Sequence, residues 1–326
     1  MPLPNASEQH VDTLLTDLSV QFNIEPDYFV ADRVFPRVAS PKQSNKYATF
    51  TQADTFRDSM QLRVDGTESA GQGYRVSTDS FFCDVFAAHI DVGDQAVAAA
   101  DSAFEPAANA TRNLVTWERI KREREFESEF FTASGAVWTG GTSTDPTAAS
   151  LSAAWDNPAS TPIEDLHEQA NSILTKTGKV PNTLVINYLG WTALKNHPDI
   201  VDRIKHTSAG PVTADILARY LFDDPNGRIL ISKAPENTAA EGLSASYASI
   251  LGNHALLVYS APSPGLATIS GGYTFYWSDY PGSSDGRRIK RFRIEERASE
   301  RIEIEAVWDM KLVAANAGVL IHSVAS

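Results

Sequence analysis

The chain has 326 residues, 42% of them hydrophobic and 21% charged, with 28 Lys and Arg against 41 Asp and Glu and a formal net charge of −13. This is a globular mixture with material for one large or two moderate cores. It excludes a protein that wraps nucleic acid over most of its surface, because such binding neutralises phosphates with Lys and Arg. No run of about 18 apolar residues is present, and MPLPNASEQH has neither a basic start nor an apolar signal core, so the sequence implies a chain made in the cytosol without a membrane span.

Residues 1–45 carry prolines at 26, 36 and 41 and no sustained helical period, which predicts an extended arm. Its apolar side chains (Phe22, Ile24, Tyr28, Phe29, Val34 and Phe35) cannot form a compact core of their own and need another surface. From Tyr47 to Val92 strands are expected: QLRV, then the turn-rich DGTESAGQG, then YRVSTDSFFCDVFAAHIDV. Together they read as a long hairpin with its tip at Asp65-Gly66 and at the glycines 71 and 73. Cys83 is the single cysteine, forms no internal disulfide, and sits in FFCDVF as a small buried hydrophobe.

Ala107, Ala110, Leu114 and Trp117, with Phe126 and Phe130 further on, mark the apolar stripe of a long helix through LVTWERIKREREFESEFF. Its charges fall into i, i+4 pairs of opposite sign: Glu118 with Arg122, Arg119 with Glu123, Lys121 with Glu125. The expectation is a girder with a solvated charged face, and neither a DNA-reading helix nor a coiled coil. The segment 134–160 is rich in Gly, Ser, Thr and Pro, a candidate boundary.

An α/β block follows. TPIEDLHEQANSILTKTGKVP is a helix with Thr161 as cap before Pro162, NTLVINY a strand, GWTALKNHPDIVDRIKH and PVTADILARYL helices, and GRILIS a strand. ASILGNHALLVYSA and LATISGGYTFYWSDY are read as two further strands. In IKRFRIEERASERIEIEAVWDMKL, an antiparallel hairpin folded about Ala298 sets Arg291 opposite Glu305, Arg293 opposite Glu303 and Glu295 opposite Arg301. The other face then joins Phe292 to Ile304 and Ile294 to Ile302.

Catalytic patterns are thin. HEQAN at 167–171 has Asn171 where a second zinc-binding histidine is needed, and no G-x-S-x-G, G-x-x-x-x-G-K or cysteine pair occurs. DDPNG at 223–227 reads as a turn and not as a calcium loop. The expectation is no enzyme, no catalytic residue, no cofactor and no metal.

The order of parts, with LSVQFNIEPDYFVADRVFPRV, KYATFTQADTFRD and GWTALKNHPDIVDRIKHTSAGPVTADILARYLF, resembles the major capsid proteins of tailed bacteriophages, the Johnson (Hong Kong 97-like) fold, an α+β class. The resemblance implies an N-terminal arm at 1–45, an E-loop at 46–85, a peripheral domain at 86–159 and 271–326 holding a spine helix near 104–133, and an axial domain at 160–270. It implies a structural subunit that assembles as pentamers and hexamers into an icosahedral shell around double-stranded DNA, bound without sequence specificity. The place is the virion capsid, assembled in the bacterial host cytoplasm. Because the arm begins within about twenty residues of Met1, a separate scaffolding protein is expected, with a portal and a possible decoration protein as further partners. No lysine lies between Lys46 and Lys121, so chainmail crosslinking through an E-loop lysine is not expected. Subunit contacts are expected at Phe22, Phe29 and Phe35 in the arm and at Arg57, Arg63, Asp65, Glu68 and Arg75 in the E-loop. The alternatives are an encapsulin-like compartment and an enzyme using the α/β lobe.

Overall fold

The computed structural model describes residues 24–50, 52–73, 75–100, 105–132, 137–141, 154–204, 212–222, 224–240, 242–265, 268–283 and 285–325. In chain order these form α1 (Ala31–Val34), β1 (Arg37–Ser40), β2 (Ser44–Phe50), α2 (Gln52–Thr55), β3 (Val76–Phe82), β4 (Asp84–Gly93), α3 (Asp94–Ala99) and α4 (Pro106–Phe126), which runs into a π-helical turn at Glu127–Phe131. There follow α5 (Pro162–Thr177), β5 (Thr183–Asn187), α6 (Tyr188–Asn196), α7 (Pro198–Ile204), α8 (Ala214–Leu221), β6 (Arg228–Ser232), β7 (Pro235–Asn237), β8 (Tyr247–Ser249) and β9 (Ala255–Val258). The chain closes with β10 (Gly272–Trp277), β11 (Arg287–Ile294), β12 (Ser299–Leu312) and β13 (Gly318–Ile321).

The α/β lobe follows its local signals. Pro162 opens α5 at the first helical position, although the Thr161 side chain makes no cap bond, and Gly178 ends the helix with φ 69°. Asn187 caps α6 through Gly190 N–H, and Thr213 caps α8 through Ile216 N–H. The helices cover a four-stranded sheet in the order β13-β9-β5-β6, with β5 and β6 parallel and β9 antiparallel to both of its neighbours. One face, with Leu184, Ile186, Leu257 and Ile321, packs on Trp155, Ile163, Leu166, Ile173 and Leu217. The strand at 318–321 lies in this sheet, away from the strands at 272–277 and 287–312.

The second sheet has five strands, in which β12 pairs with β10 and β11 along one edge and with β4 along the other, and β1 runs parallel to β10. Helix α4 lies on it, burying Ala110 and Leu114 against Val92, Ile302 and Ile304. The other face of the four-stranded sheet (Val185, Leu230, Leu256, Leu320) meets Ala306, Trp308 and Met310 of this sheet in one shared core with Val30, Val34, Phe35, Phe126, Phe130, Phe131 and Trp138. The wider π turn brings the consecutive Phe130 and Phe131 both inward.

Several expectations are corrected. The arm's described part docks on its own chain. Phe29 and Phe35 are buried, and Phe35 meets Phe126, Phe130 and Trp138 with ring centroids 5.9, 5.2 and 6.4 Å away. Proline stops a long helix here but not the turn α1 or the edge strand β1, which need no continuous helical ladder. Phe22 lies outside the described residues. QLRV is not a strand, and β3 pairs with β2, with α2 and the loop 56–73 between them. Trp117 is 49% exposed and leaves the apolar stripe.

The girder is present, yet its charged face is not simply solvated. Lys121–Glu125 (2.9 Å) and Glu118–Arg122 (3.1 Å) form, but Glu118 and Arg122 are buried, and Glu123 turns wholly inward instead of facing Arg119. The β11–β12 register is shifted by three residues from a fold about Ala298: Arg288 faces Glu305, Ile289 faces Ile304, Lys290 faces Glu303, Arg291 faces Ile302 and Ile294 faces Ser299. The loop is therefore four residues, Glu295 to Ala298, and Ala298 adopts the left-handed conformation at φ 44° without a glycine. Asp94 N–H bonds to Ala298 O at 3.0 Å, and Arg297 pairs with Asp91 at 3.1 Å, which together offset the strain of that conformation. Of the candidate boundary at 134–160, Trp138 and Trp155 are core residues, while 134–136 and 142–153 lie outside the described residues.

Candidate assembly surface

The loop 56–73 leaves the β2–β3 hairpin, and every described residue in it but Ser59 is exposed. Its two legs are clasped at the root, where Asp54 accepts from Arg75 Nε at 3.0 Å and from the Arg75 backbone N–H at 3.2 Å. Arg75 pulls the Asp54 carboxyl below its usual pKa. Ser59 bonds to Gln72 across the legs, and the Phe56 ring lies against Gly178 at the end of α5. At the tip, Thr67 N–H donates to Val64 O at 3.1 Å, with Gly66 at φ 79°, so the Asp65-Gly66 turn forms where the sequence places it.

The surface so presented is apolar as well as charged: Met60 is 92% and Leu62 97% exposed, with Val64, Val76, Phe82 and Val85 also open. Large apolar side chains this exposed along one loop, Met60, Leu62 and Val64, suit a surface that a partner covers. Arg57, Asp65 and Glu68 stand out toward solvent, Arg63 Nε donates to Thr67 O at 2.6 Å, and Arg75 is engaged by Asp54 within the same chain. The structure thus gathers the five charged candidates in one loop and separates them from Phe29 and Phe35, which sit in the chain's own core. The alternation in MQLRV, read as a hairpin strand, instead sets Met60, Leu62 and Val64 in an exposed loop.

A separate polar network runs along α4, where it ties the docked segment 30–32 and β6 to the helix. Glu123, fully buried, accepts from Val30 N–H (2.9 Å), Ala31 N–H (2.9 Å) and Ser232 Oγ–H (3.0 Å). Burial pushes its carboxyl up to about 7, against the pull of those donors. Arg122 pairs with Glu118 and Asp32 and lies 4.3 Å over the Trp308 ring, and Glu118 also takes Arg287 at 3.1 Å. On the opposite face of the sheet Glu305 collects Lys290 (2.6 Å), Tyr280 (2.8 Å) and Arg288 (2.8 Å from Nε). Among the described residues no three His, Cys, Asp or Glu side chains gather as a metal site, and no helix is long and apolar enough to cross a membrane.

A segment docked into the core, a hairpin with a long exposed loop, a long helix across a five-stranded sheet and an inserted α/β lobe define the Johnson fold of phage capsid proteins. No protein-family model matches the chain. It is similar to the major capsid protein of Burkholderia phage BcepMu, 27% identical over 165 residues, a match that spans about half the length of each protein. It is also similar to the major capsid protein of Pseudomonas phage JBD67, 24% identical over 90% of each. Among solved structures, a phage-related protein from Bordetella bronchiseptica matches with a TM-score of 0.65 at 20% identity, over 92% of this chain and 94% of that one. The capsid of cyanophage P-SCSP1u matches at 0.60 and 11%, over 95% and 91%. The SrpI encapsulin of Synechococcus elongatus shares the architecture at 0.54 and 13%, over 98% and 95%.

Proposed function

We propose that the chain is the shell subunit of a phage-type capsid, many copies closing as pentamers and hexamers into an icosahedral container for double-stranded DNA. The observation that carries this reading is the loop 56–73, whose Met60, Leu62 and Val64 are left exposed by the described residues of the chain. Packed on a neighbour, each fully covered side chain contributes about 1.5–3 kcal/mol, and a closed shell repeats that contribution at every contact. In this reading the arm is 1–45, the E-loop 46–85, the peripheral domain 86–159 and 271–326, of which 318–321 joins the sheet of the axial domain, and the axial domain 160–270. Arg57, Arg63, Asp65 and Glu68 then orient the contact, and Arg75 keeps the loop in shape. A separate scaffolding protein, a portal and a decoration protein are the further partners, and assembly takes place in the host cytoplasm. The acidic balance fits a container whose walls do not hold the packaged genome.

The test is assembly of the purified chain beside a variant in which residues 58–73 are replaced by a short Gly-Ser linker. The full chain should give megadalton particles by size exclusion and electron microscopy. The variant should keep native circular dichroism and stay small. A full chain that remains small, or a variant that builds normal particles, refutes the reading. The encapsulin alternative draws on the shared architecture of the Synechococcus protein, and particles made beside their native neighbouring genes that hold a protein cargo and no DNA would favour it.

A further inference from the structure

A cleft of about 420 Å³ opens where the segment 32–37 passes the edge strand β6, lined by Asp32, Arg33, Arg37, Asn182, Arg228 and Ser260 among others. Its charge is lopsided in a chain whose formal charge is −13. Three guanidinium groups line it against one carboxylate, and that carboxylate, Asp32, is engaged by Arg122. Arg33 Nη2 donates to Asp27 O at 2.6 Å and pairs with the exposed Asp27 carboxylate at 3.9 Å, and Arg37 Nη2 donates to Asp285 O at 2.8 Å.

Arg228 is the least satisfied of the three. Among the described residues no carboxylate lies within ion-pairing distance, and its bonds are long: Nε to Thr183 Oγ1 at 3.3 Å, and Nη2 to Val34 O and Ser260 Oγ, both at 3.5 Å. The side chain reaches solvent at the mouth of the cleft, yet lost hydration and the neighbouring Arg33 both act against its charge. The wall beside it is fixed, since Asn182 Nδ2 donates to Ser260 O at 2.8 Å and Asn182 Oδ1 accepts from Ser260 N–H at 2.9 Å. A preorganised, cationic recess with an unmatched arginine is a receptor for an oxyanion.

We propose that this cleft receives a carboxylate side chain from a second copy of the chain, with Arg228 as its ion-pair partner. The inference rests on the shell-subunit reading. In an assembly the anion at highest local concentration is the carboxylate of a neighbour, since acidic residues outnumber basic ones 41 to 28. The recess admits one or two side chains, whereas a duplex meets an otherwise acidic surface that repels it. Complementary charge at such a contact governs encounter rate and partner alignment.

The experiment compares assembly of the wild-type chain, Arg228→Lys and Arg228→Glu by light scattering, together with wild-type chain carrying a photocrosslinking amino acid at Asn226, which lines the cleft and leaves Arg228 in place. Arg228→Glu should slow assembly about ten-fold or more while Arg228→Lys retains most of the rate. Short oligoglutamate should inhibit the wild type and not Arg228→Glu. Illumination of particles should join two chains at a peptide containing Asp or Glu. Should Arg228→Glu fail to fold, judged by circular dichroism, the crosslink alone decides. Products confined to one chain or attached to DNA overturn the inference, as does inhibition by inorganic phosphate or DNA but not by oligoglutamate. A wild-type chain that stays monomeric refutes the shell reading itself. Assembly indifferent to Arg228→Glu refutes only the role of the cleft.

Discussion

Replacing Glu123 separates two opposing influences on one buried carboxylate. Three donors converge on it at 2.9–3.0 Å, which favours the ionised form, while complete burial and the nearby Asp32 favour the neutral one, and burial prevails with a pKa of about 7. In the unfolded chain the same group titrates near 4.5. A folded pKa above the unfolded one means that its contribution to stability is complete below about pH 4.5 and is lost as pH rises through 7. The difference corresponds to an upper limit of about 3 kcal/mol. Glu123→Gln removes the titration and keeps one acceptor oxygen, so urea unfolding of the unassembled subunit at pH 5, 6, 7 and 8 isolates the effect. The stability gap between wild type and Glu123→Gln should move in favour of the variant by up to about 3 kcal/mol over that range. Glu123→Ala, leaving the N–H groups of Val30 and Ala31 and the Ser232 hydroxyl unmatched, should cost about 3 kcal/mol or more at every pH. A gap between wild type and Glu123→Gln that is flat from pH 5 to 8 would show that the donors outweigh burial and refute the reasoning.

Glu305 should behave in the opposite sense. Burial pushes its carboxyl up, but the bonds from Lys290, Tyr280 and Arg288 prevail and bring it down to about 2, so its contribution is present above about pH 4.5 and lost as pH falls toward 2. Glu305→Gln should therefore cost about 2–4 kcal/mol at pH 7 and lessen the acid sensitivity of the melting temperature; an unchanged acid profile would count against the network and the β11–β12 register that builds it. Cys83 is wholly buried, and burial, helped by Asp309 and Asp84, pushes its thiol up to about 12. A disulfide reagent at pH 8 should label it only at the rate of global unfolding, and rapid stoichiometric labelling of native protein would contradict that placement.

The α/β lobe was legible because its punctuation is local: Pro162 and Gly178 bracket α5, and NTLVINY and GRILIS hold short apolar runs rich in Val and Ile. The Asp65-Gly66 tip was legible for the same reason. The hairpin at 287–312 was not, because charge alternation fits more than one register and the selecting residue, Ala298, is not one that announces a left-handed turn. Likewise, i, i+4 spacing described Glu118 to Glu125 as a helix surface, but the partners that bury Glu123 and Arg122 lie at residues 30–32 and 232, beyond any periodicity. The docked arm was misread by the same blindness: Phe35 has an aromatic cluster waiting for it, but those rings come from 126–138.

The insertion of the α/β lobe within the five-stranded sheet has a kinetic consequence. Strands from residues 37–40 and 84–93 must find partners at 272–277 and 299–312, while β5 finds β6 and β9 within residues 183–258. Loop-closure entropy favours the near contacts first, so the lobe can nucleate early and shorten the effective distance between the sheet's two halves. Until they meet, β4 is an unpaired edge beside Val85 and Phe82, and at high concentration it can pair with the wrong chain. A subunit made in many copies therefore has its greatest exposure to aggregation in the interval between lobe formation and sheet closure.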